Sequence, residues 1–163
     1  MPLYAAGDDL YVLLTKRTDE VEHHKGQISF PGGAREPGDR DLLATALREA
    51  EEEVGIARSD VEILGEMDDV ETYVSGFVIT PFVGVIPYPY PLRPNPREIQ
   101  ELVFVPLITF LDPANMRVEY RDRGGVKVPL YFYQHGEHVI WGATARIVKD
   151  FVEAVFSGSE PDE

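Results

Sequence analysis

The apolar positions of this chain change period several times, and each change marks a predicted element. Leu10-Tyr11-Val12-Leu13-Leu14-Thr15 is a nearly unbroken apolar run and reads as a buried strand. Gln27-Ile28-Ser29-Phe30 reads as a short strand stopped by Pro31-Gly32-Gly33, and a polar, glycine-bearing loop covers residues 34–40. From Asp41 the period becomes helical: Leu43, Ala46, Leu47, Ala50 and Val54 fall on one face, with Asp41 as N-cap and Gly55 just past the last turn. Residues 61–64 predict a strand and residues 77–86 a longer one. The proline-rich stretch 88–96 predicts an ordered surface loop, and residues 102–105 a strand ended by Pro106. Residues 116–121 and 127–133 predict two strands joined at Asp122-Arg123-Gly124-Gly125. Val139-Ile140-Trp141 predicts one more strand. Gly142 opens a final helix with Ala145, Val148, Val152 and Phe156 on one face, and the polar tail after Gly158 is expected to fray. No repeat and no linker interrupts the chain. Interspersed strands and helices with hairpins predict a single domain over residues 1–163, of α+β class or a mixed α/β/α sandwich.

Composition narrows the function classes. The 163 residues suffice for a real core, and with no cysteine, disulfides, thiolate metal sites and thiol nucleophiles are excluded. That usage is compatible with a reducing cytoplasm, the expected location. The formal net charge of −14 argues against nucleic acid and anionic membrane as partners, because both are held mainly through Lys and Arg. The first nine residues carry neither the basic patch nor the apolar core of a signal peptide, and the longest apolar stretch, residues 77–88, is too short and too broken to span a bilayer. Homodimerisation is left open, since no apolar stripe marks an interface.

The helix from Asp41 carries the chemistry. With Glu49 at zero on a wheel of about 100° per residue, Glu52 falls near about −60° and Glu53 near about +40°. Glu51 points about 160° away and is expected to be solvated. Glu49, Glu52 and Glu53 therefore cluster beside the core face. Like charges at these spacings repel, and they occupy the last turns, where the helix dipole favours cations. A solvated acidic face is one reading. A bound divalent cation is the other, and carboxylate oxygens are the hard ligands that Mg²⁺ or Mn²⁺ prefers. Gly32-Gly33 is a turn on its own terms. It also lets a phosphate or an ion approach the backbone.

Gly33, five residues, Asp39, eight residues, then Arg48-Glu49-Ala50-Glu51-Glu52-Glu53-Val54-Gly55-Ile56 resembles the box of the Nudix hydrolases. Two departures stand out: Asp39 replaces the usual Glu, and the gap before Arg48 is one residue longer. The longer gap resembles the coenzyme A pyrophosphatase branch. Leu13-Leu14-Thr15-Lys16-Arg17, Gly26 and Phe30-Pro31-Gly32-Gly33 resemble that branch's upstream signature. Further matches run through Ser75-Gly76-Phe77, Thr80-Pro81-Phe82-Val83-Gly84, Asn95-Pro96 with Glu98, and Trp141-Gly142-Ala143-Thr144-Ala145-Arg146. Thr18 stands where the signature expects Ser or Ala, and Glu22 where it expects Arg. Branch members also begin further upstream, so Met1-Pro2-Leu3-Tyr4 is expected to be the end of a first strand.

The resemblance implies a Nudix-type α/β/α sandwich with a mixed sheet and a loop-helix-loop catalytic motif. It implies attack by water on a phosphorus of a substituted nucleoside diphosphate, here coenzyme A, giving 4′-phosphopantetheine and adenosine 3′,5′-bisphosphate. Mg²⁺ or Mn²⁺ is the implied cofactor, with Glu49 and Glu53 as principal ligands and Glu52 as a third ligand or the general base. Arg48 is expected to orient Glu52. Glu98, with Glu101 beside it, is the alternative source of a base, set against a plain surface role. Arg17, His24 (with His23 beside it), Lys25, Gly32 and Gly33 are the expected substrate contacts. Tyr73 is read either as packed or as stacked on adenine. Another substrate such as ADP-ribose or a dinucleoside polyphosphate is the first alternative, and a non-catalytic nucleotide-sensing module the second.

Overall fold

A computed structural model describes residues 1–19, 26–73 and 75–157. In chain order the elements are β1 (Pro2–Ala6), β2 (Asp9–Arg17), β3 (Ile28–Ser29), α1 (Leu42–Val54), β4 (Glu62–Glu66), β5 (Val70–Glu71), β6 (Val78–Ile79), β7 (Phe82–Val85), β8 (Ile99–Pro106), α2 (Leu107–Leu111), β9 (Met116–Arg123), β10 (Val126–His135), β11 (His138–Trp141) and α3 (Gly142–Phe156). They fall into two units, one of Met1–Asp68 with Thr80–Leu107 and one of Asp69–Ile79 with Ile108–Glu163. The expected tail after Gly158 lies outside the described residues.

The first unit is built on a six-stranded mixed sheet. β2 is its central strand: β8 runs antiparallel along one side, from Tyr11↔Pro106 to Arg17↔Ile99, while β1 and β3 pair with its two ends. β1 continues the sheet through a parallel pairing with β7, which pairs antiparallel with β4. Val12, Leu13, Leu14 and Thr15 are all buried, as an uninterrupted apolar run requires when both faces of a strand are covered. Leu13 packs with Tyr4, Ala50, Val54, Ile56 and Ile86. Fully burying one such aliphatic side chain contributes roughly 1.5–3 kcal/mol.

Helix α1 starts and stops where its sequence dictates. Asp41 caps it by accepting the Ala44 N–H at 2.8 Å. Gly55 ends it in the left-handed region, φ 74°. The carbonyls left over at this end find partners in the proline-rich loop, where Arg93 N–H donates to Val54 O and Asn95 N–H to Glu53 O, both at 2.8 Å. Of the expected apolar face, Ala50 and Val54 are buried, whereas Leu43, Ala46 and Leu47 are half-buried along an apolar groove shared with Pro31, Ile63 and Phe82.

In the second unit β10 pairs with both β9 and β11, and β5 pairs with β6. The β9–β10 turn is two residues, Gly124 and Gly125, both at positive φ, so the strands extend further toward the turn than expected. The expected single strand over residues 77–86 is two strands that belong to different units: β6 pairs with β5, and β7 with β1 and β4. Pro81, between them, has no N–H to continue a ladder. β5 and α2 were not anticipated, being only two and five residues long. In α3 the buried stripe is Thr144, Ala145, Ile147, Val148 and Phe151. Val152 is half-buried and Phe156 exposed, so the expected face is rotated toward Ile147 and Phe151.

Gly55 is a sharp test of the helix stop. A Cβ there would sit 3.0 Å from Arg93 Cβ, on a backbone whose φ L-residues avoid. Gly55→Ala is expected to cost roughly 1–2 kcal/mol. Urea denaturation checks this, and an unchanged midpoint would show that the cap is not under conformational constraint.

Candidate functional site

The box folds into a loop, residues 30–41, followed by α1, and a buried ion pair closes the two onto each other. Asp39 is 7% exposed and accepts from Arg48 through both oxygens, Nε to Oδ1 at 2.9 Å and Nη2 to Oδ2 at 3.0 Å. Its remaining capacity is filled by Thr45 Oγ1 at 2.9 Å and the Glu36 N–H at 2.9 Å. Arg48 hydrogen bonding, then the Glu36 amide, holds the Asp39 carboxyl well below the usual range. The same pairing holds the Arg48 pKa above its ordinary value.

Arg48 is the hub of the site. Besides Asp39 it donates through Nη2 to Ala34 O at 3.1 Å and through Nη1 to Glu49 Oε1 at 3.0 Å and Glu52 Oε2 at 3.1 Å. Every guanidinium nitrogen thus has a protein acceptor. The expected i,i+4 contact with Glu52 is present, but as one of five hydrogen bonds. Arg48 thereby links the loop to Glu49 and Glu52.

The three glutamates lie in different surroundings. Glu52 is exposed, Glu49 largely covered and Glu53 only 2% exposed. Glu53 accepts the Gly32 N–H at 3.2 Å and pairs with Arg17 Nη1 at 3.3 Å. Those contacts do not offset its burial: desolvation, with Glu49 and Glu98 adding repulsion, pushes its carboxyl up to about 7. Desolvation also raises Glu49 against the opposing effect of Arg48. Glu51 is half-exposed and pairs with Arg58 Nε at 2.9 Å, so it is turned away from the cluster and partnered.

Two further segments meet this cluster. At Gly33, a Cβ would lie 2.5 Å from Glu49 Oε1, so any side chain here would displace that carboxylate from its present place. Glu98 is half-buried, and its charge acts on both Glu49 and Glu53. Glu101 lies on β8 and is half-buried. His23, His24, Lys25 and Glu22 lie outside the described residues. Tyr73 belongs to the second unit, where it is 43% exposed and Arg123 stacks on its ring at 4.7 Å while bonding its carbonyl. Thr45 escaped the sequence reading. Its signal was a polar side chain one turn before Arg48, beside the apolar stripe.

The family model described as the NUDIX domain matches residues 1–123. The chain belongs to the Nudix hydrolases. It is 38% identical over 144 residues to the uncharacterized Nudix hydrolase NudL of Photorhabdus laumondii, an alignment covering 88% of this chain and 76% of that protein. Among solved structures it is similar to the Ap4A hydrolase of C. elegans in a binary complex, with TM-score 0.56 and 17% identity over 66% of this chain and 76% of that one. It is also similar to the NUDIX domain of Shewanella oneidensis NrtR complexed with ADP ribose, with TM-score 0.52 and 20% identity over 68% of this chain and 71% of that one. The fold is the α+β fold of the Nudix proteins, and membership of the family gives the reaction class, hydrolysis of a pyrophosphate bond in nucleoside diphosphate derivatives. None of the described helices is long and apolar enough to cross a membrane.

Nudix hydrolases require a divalent metal ion, and the residues of this site suit one. The donors are hard carboxylate oxygens. Gly33 leaves the face of Glu49 uncovered, and Glu53 is a buried acid with incomplete compensation. Among the described residues no three acidic or histidine side chains stand close enough to enclose an ion. Arg48 Nη1 instead bonds both Glu49 and Glu52.

The raised Glu53 pKa fixes the sign of a pH effect. The folded protein holds this proton up to about 7, whereas an unfolded chain loses it near 4.5. Stability of the chelated, metal-free protein is therefore full below about 4.5 and falls as pH rises through about 7, by a few kcal/mol at most. Thermal denaturation in EDTA at pH 5.5 and pH 8 should show the loss, and Glu53→Gln should remove it. The same pH slope in that variant would assign the effect elsewhere.

Proposed function

We propose that this Nudix hydrolase cleaves the diphosphate of coenzyme A to 4′-phosphopantetheine and adenosine 3′,5′-bisphosphate, with Mg²⁺ or Mn²⁺ as cofactor. The observation that carries the reading is the eight-residue gap between Asp39 and Arg48, bridged by a bidentate ion pair. Together with the 13–33 signature, it is the pattern that resembles the coenzyme A branch. In that signature Arg17 reaches Glu53 and Gly32 donates to it, which joins the upstream motif to the box.

Glu49 and Glu53 would hold the ion, with Glu52 as a third ligand. When bound, the ion supplies neutralisation of diphosphate charge and a more acidic attacking water. Glu98 would accept the attacking water's proton: it is half-buried, and Asn95 bonds both its carboxylate and the Glu53 carbonyl. Arg48 keeps Glu49 and Glu52 in place. Arg17 and the Gly32-Gly33 backbone are the proposed diphosphate contacts. His24 and Lys25, and Tyr73 as the proposed adenine contact, join them on sequence grounds.

Incubation with coenzyme A and Mg²⁺, followed by chromatography, should release 4′-phosphopantetheine. Efficient cleavage of ADP-ribose or a dinucleoside polyphosphate instead would sink the substrate assignment and keep the reaction class. Nucleotide binding without turnover would support a sensing module. Glu53→Gln should lower kcat by at least ~100-fold with its circular dichroism spectrum unchanged. Full activity in that variant would remove Glu53 from the site.

A further inference from the structure

Asn95 touches both halves of the proposed machinery. Its N–H donates to Glu53 O at 2.8 Å, on the last turn of α1. Its own carbonyl accepts the N–H groups of Glu98 at 3.0 Å and Ile99 at 2.8 Å, and its Oδ1 accepts the Arg97 N–H at 3.1 Å. These bonds fold residues 95–99 into one tight turn. The remaining group, Nδ2, donates to Glu98 Oε1 at 3.1 Å. From the other side the end of β2 closes on the same turn, with Thr18 N–H on Glu98 O at 2.9 Å and Thr18 Oγ1 on Arg97 O at 3.0 Å.

This arrangement opposes a definite force. The Glu98 charge acts on two acids, Glu49 and Glu53, and disfavours the ionised form of each. A glutamate side chain with free rotation relieves such repulsion by swinging into water. The Nδ2 donor works against that swing, and the Glu53 O contact ties the donor to the helix that carries the other acids.

We infer that Asn95 is a positioning residue: by bonding the backbone of Glu53 and the carboxylate of Glu98 at once, it sets the proton acceptor at a fixed place relative to the metal-holding glutamates. The inference rests on the reading of Glu98 as proton acceptor given above. It makes Asn95 a residue that affects the chemical step without touching substrate or metal.

The test is a double-mutant cycle on coenzyme A hydrolysis with Asn95→Asp, Asn95→Ala and Glu98→Gln, read alongside Mn²⁺ affinity by electron paramagnetic resonance. Asn95→Asp keeps an acceptor for Arg97 and so keeps the turn, while losing the donor. Both Asn95 variants should lower kcat about 10- to 100-fold, as displacement of a catalytic group does. KM and Mn²⁺ affinity should stay within about threefold. In the Glu98→Gln background the Asn95 substitutions should have no further effect on kcat. Wild-type kcat in Asn95→Asp beside a slow Glu98→Gln would overturn the inference and leave Glu98 in its role. Wild-type kcat in Glu98→Gln would overturn both. A fall in Mn²⁺ affinity that parallels kcat would assign Asn95 to supporting the metal ligands, which also overturns the inference.

Discussion

The Arg48–Asp39 pair is the constraint on which the site depends. The chain carries a net charge of −14, and Asp39, Glu49, Glu52 and Glu36 all lie within 4.0 Å of one guanidinium. A lysine could neutralise some of that charge but could not impose its geometry. Arginine presents a planar fork whose donors point in fixed directions, and here one edge grips Asp39 while the other holds Glu49 and Glu52. Breaking the pair would leave a buried carboxylate with only the Thr45 hydroxyl and the Glu36 amide as donors. A helix face that sequence rules call unfavourable is therefore tolerable, because one buried cation is shared among its acids.

Asp39 and Glu53 show how one protein places two acids in opposite states. Asp39 is buried but surrounded by donors, so it stays ionised. Glu53 is buried with two contacts and two acidic neighbours, so its proton is held toward neutrality. The first is a structural charge, already compensated. The second is an incompletely compensated one, in a setting that a divalent cation would relieve. The two acids differ in compensation and not in exposure, since both are largely hidden from solvent.

Much of this was legible in the sequence, for reasons that can be traced to particular residues. α1 was predicted nearly to its ends because Asp41 and Gly55 are local signals, each acting within a turn of itself. The wheel separated Glu51 from the other glutamates for the same reason, and Arg58 accounts for where Glu51 went. Residues 77–86 failed as one strand because hydrophobicity does not record which partner a strand pairs with, and β6 and β7 pair in different units. The α3 face was misplaced by one flank, since its sequence offers apolar residues on more than one side and packing chose among them. In the site, the depth of Glu53 and the engagement of Glu98 with it come from β2, α1 and the 95–99 turn meeting in space, which no spacing along the chain encodes.

The two departures from the common box, Asp39 and the longer gap before Arg48, fall on the two sides of one contact. Aspartate is one methylene shorter than glutamate, which by itself would draw the carboxylate away from Arg48. The additional residue before Arg48 lengthens the segment that joins them, and the pair still meets at 2.9 and 3.0 Å through both oxygens. Thr45, one turn before Arg48, then occupies a lone pair of Asp39 inside the helix–loop junction, and the Glu36 amide caps the carboxylate from the loop side. With that contact closed, the other edge of Arg48 holds Glu49 and Glu52. In this chain the buried bidentate contact closes across an eight-residue tether and with the shorter acid.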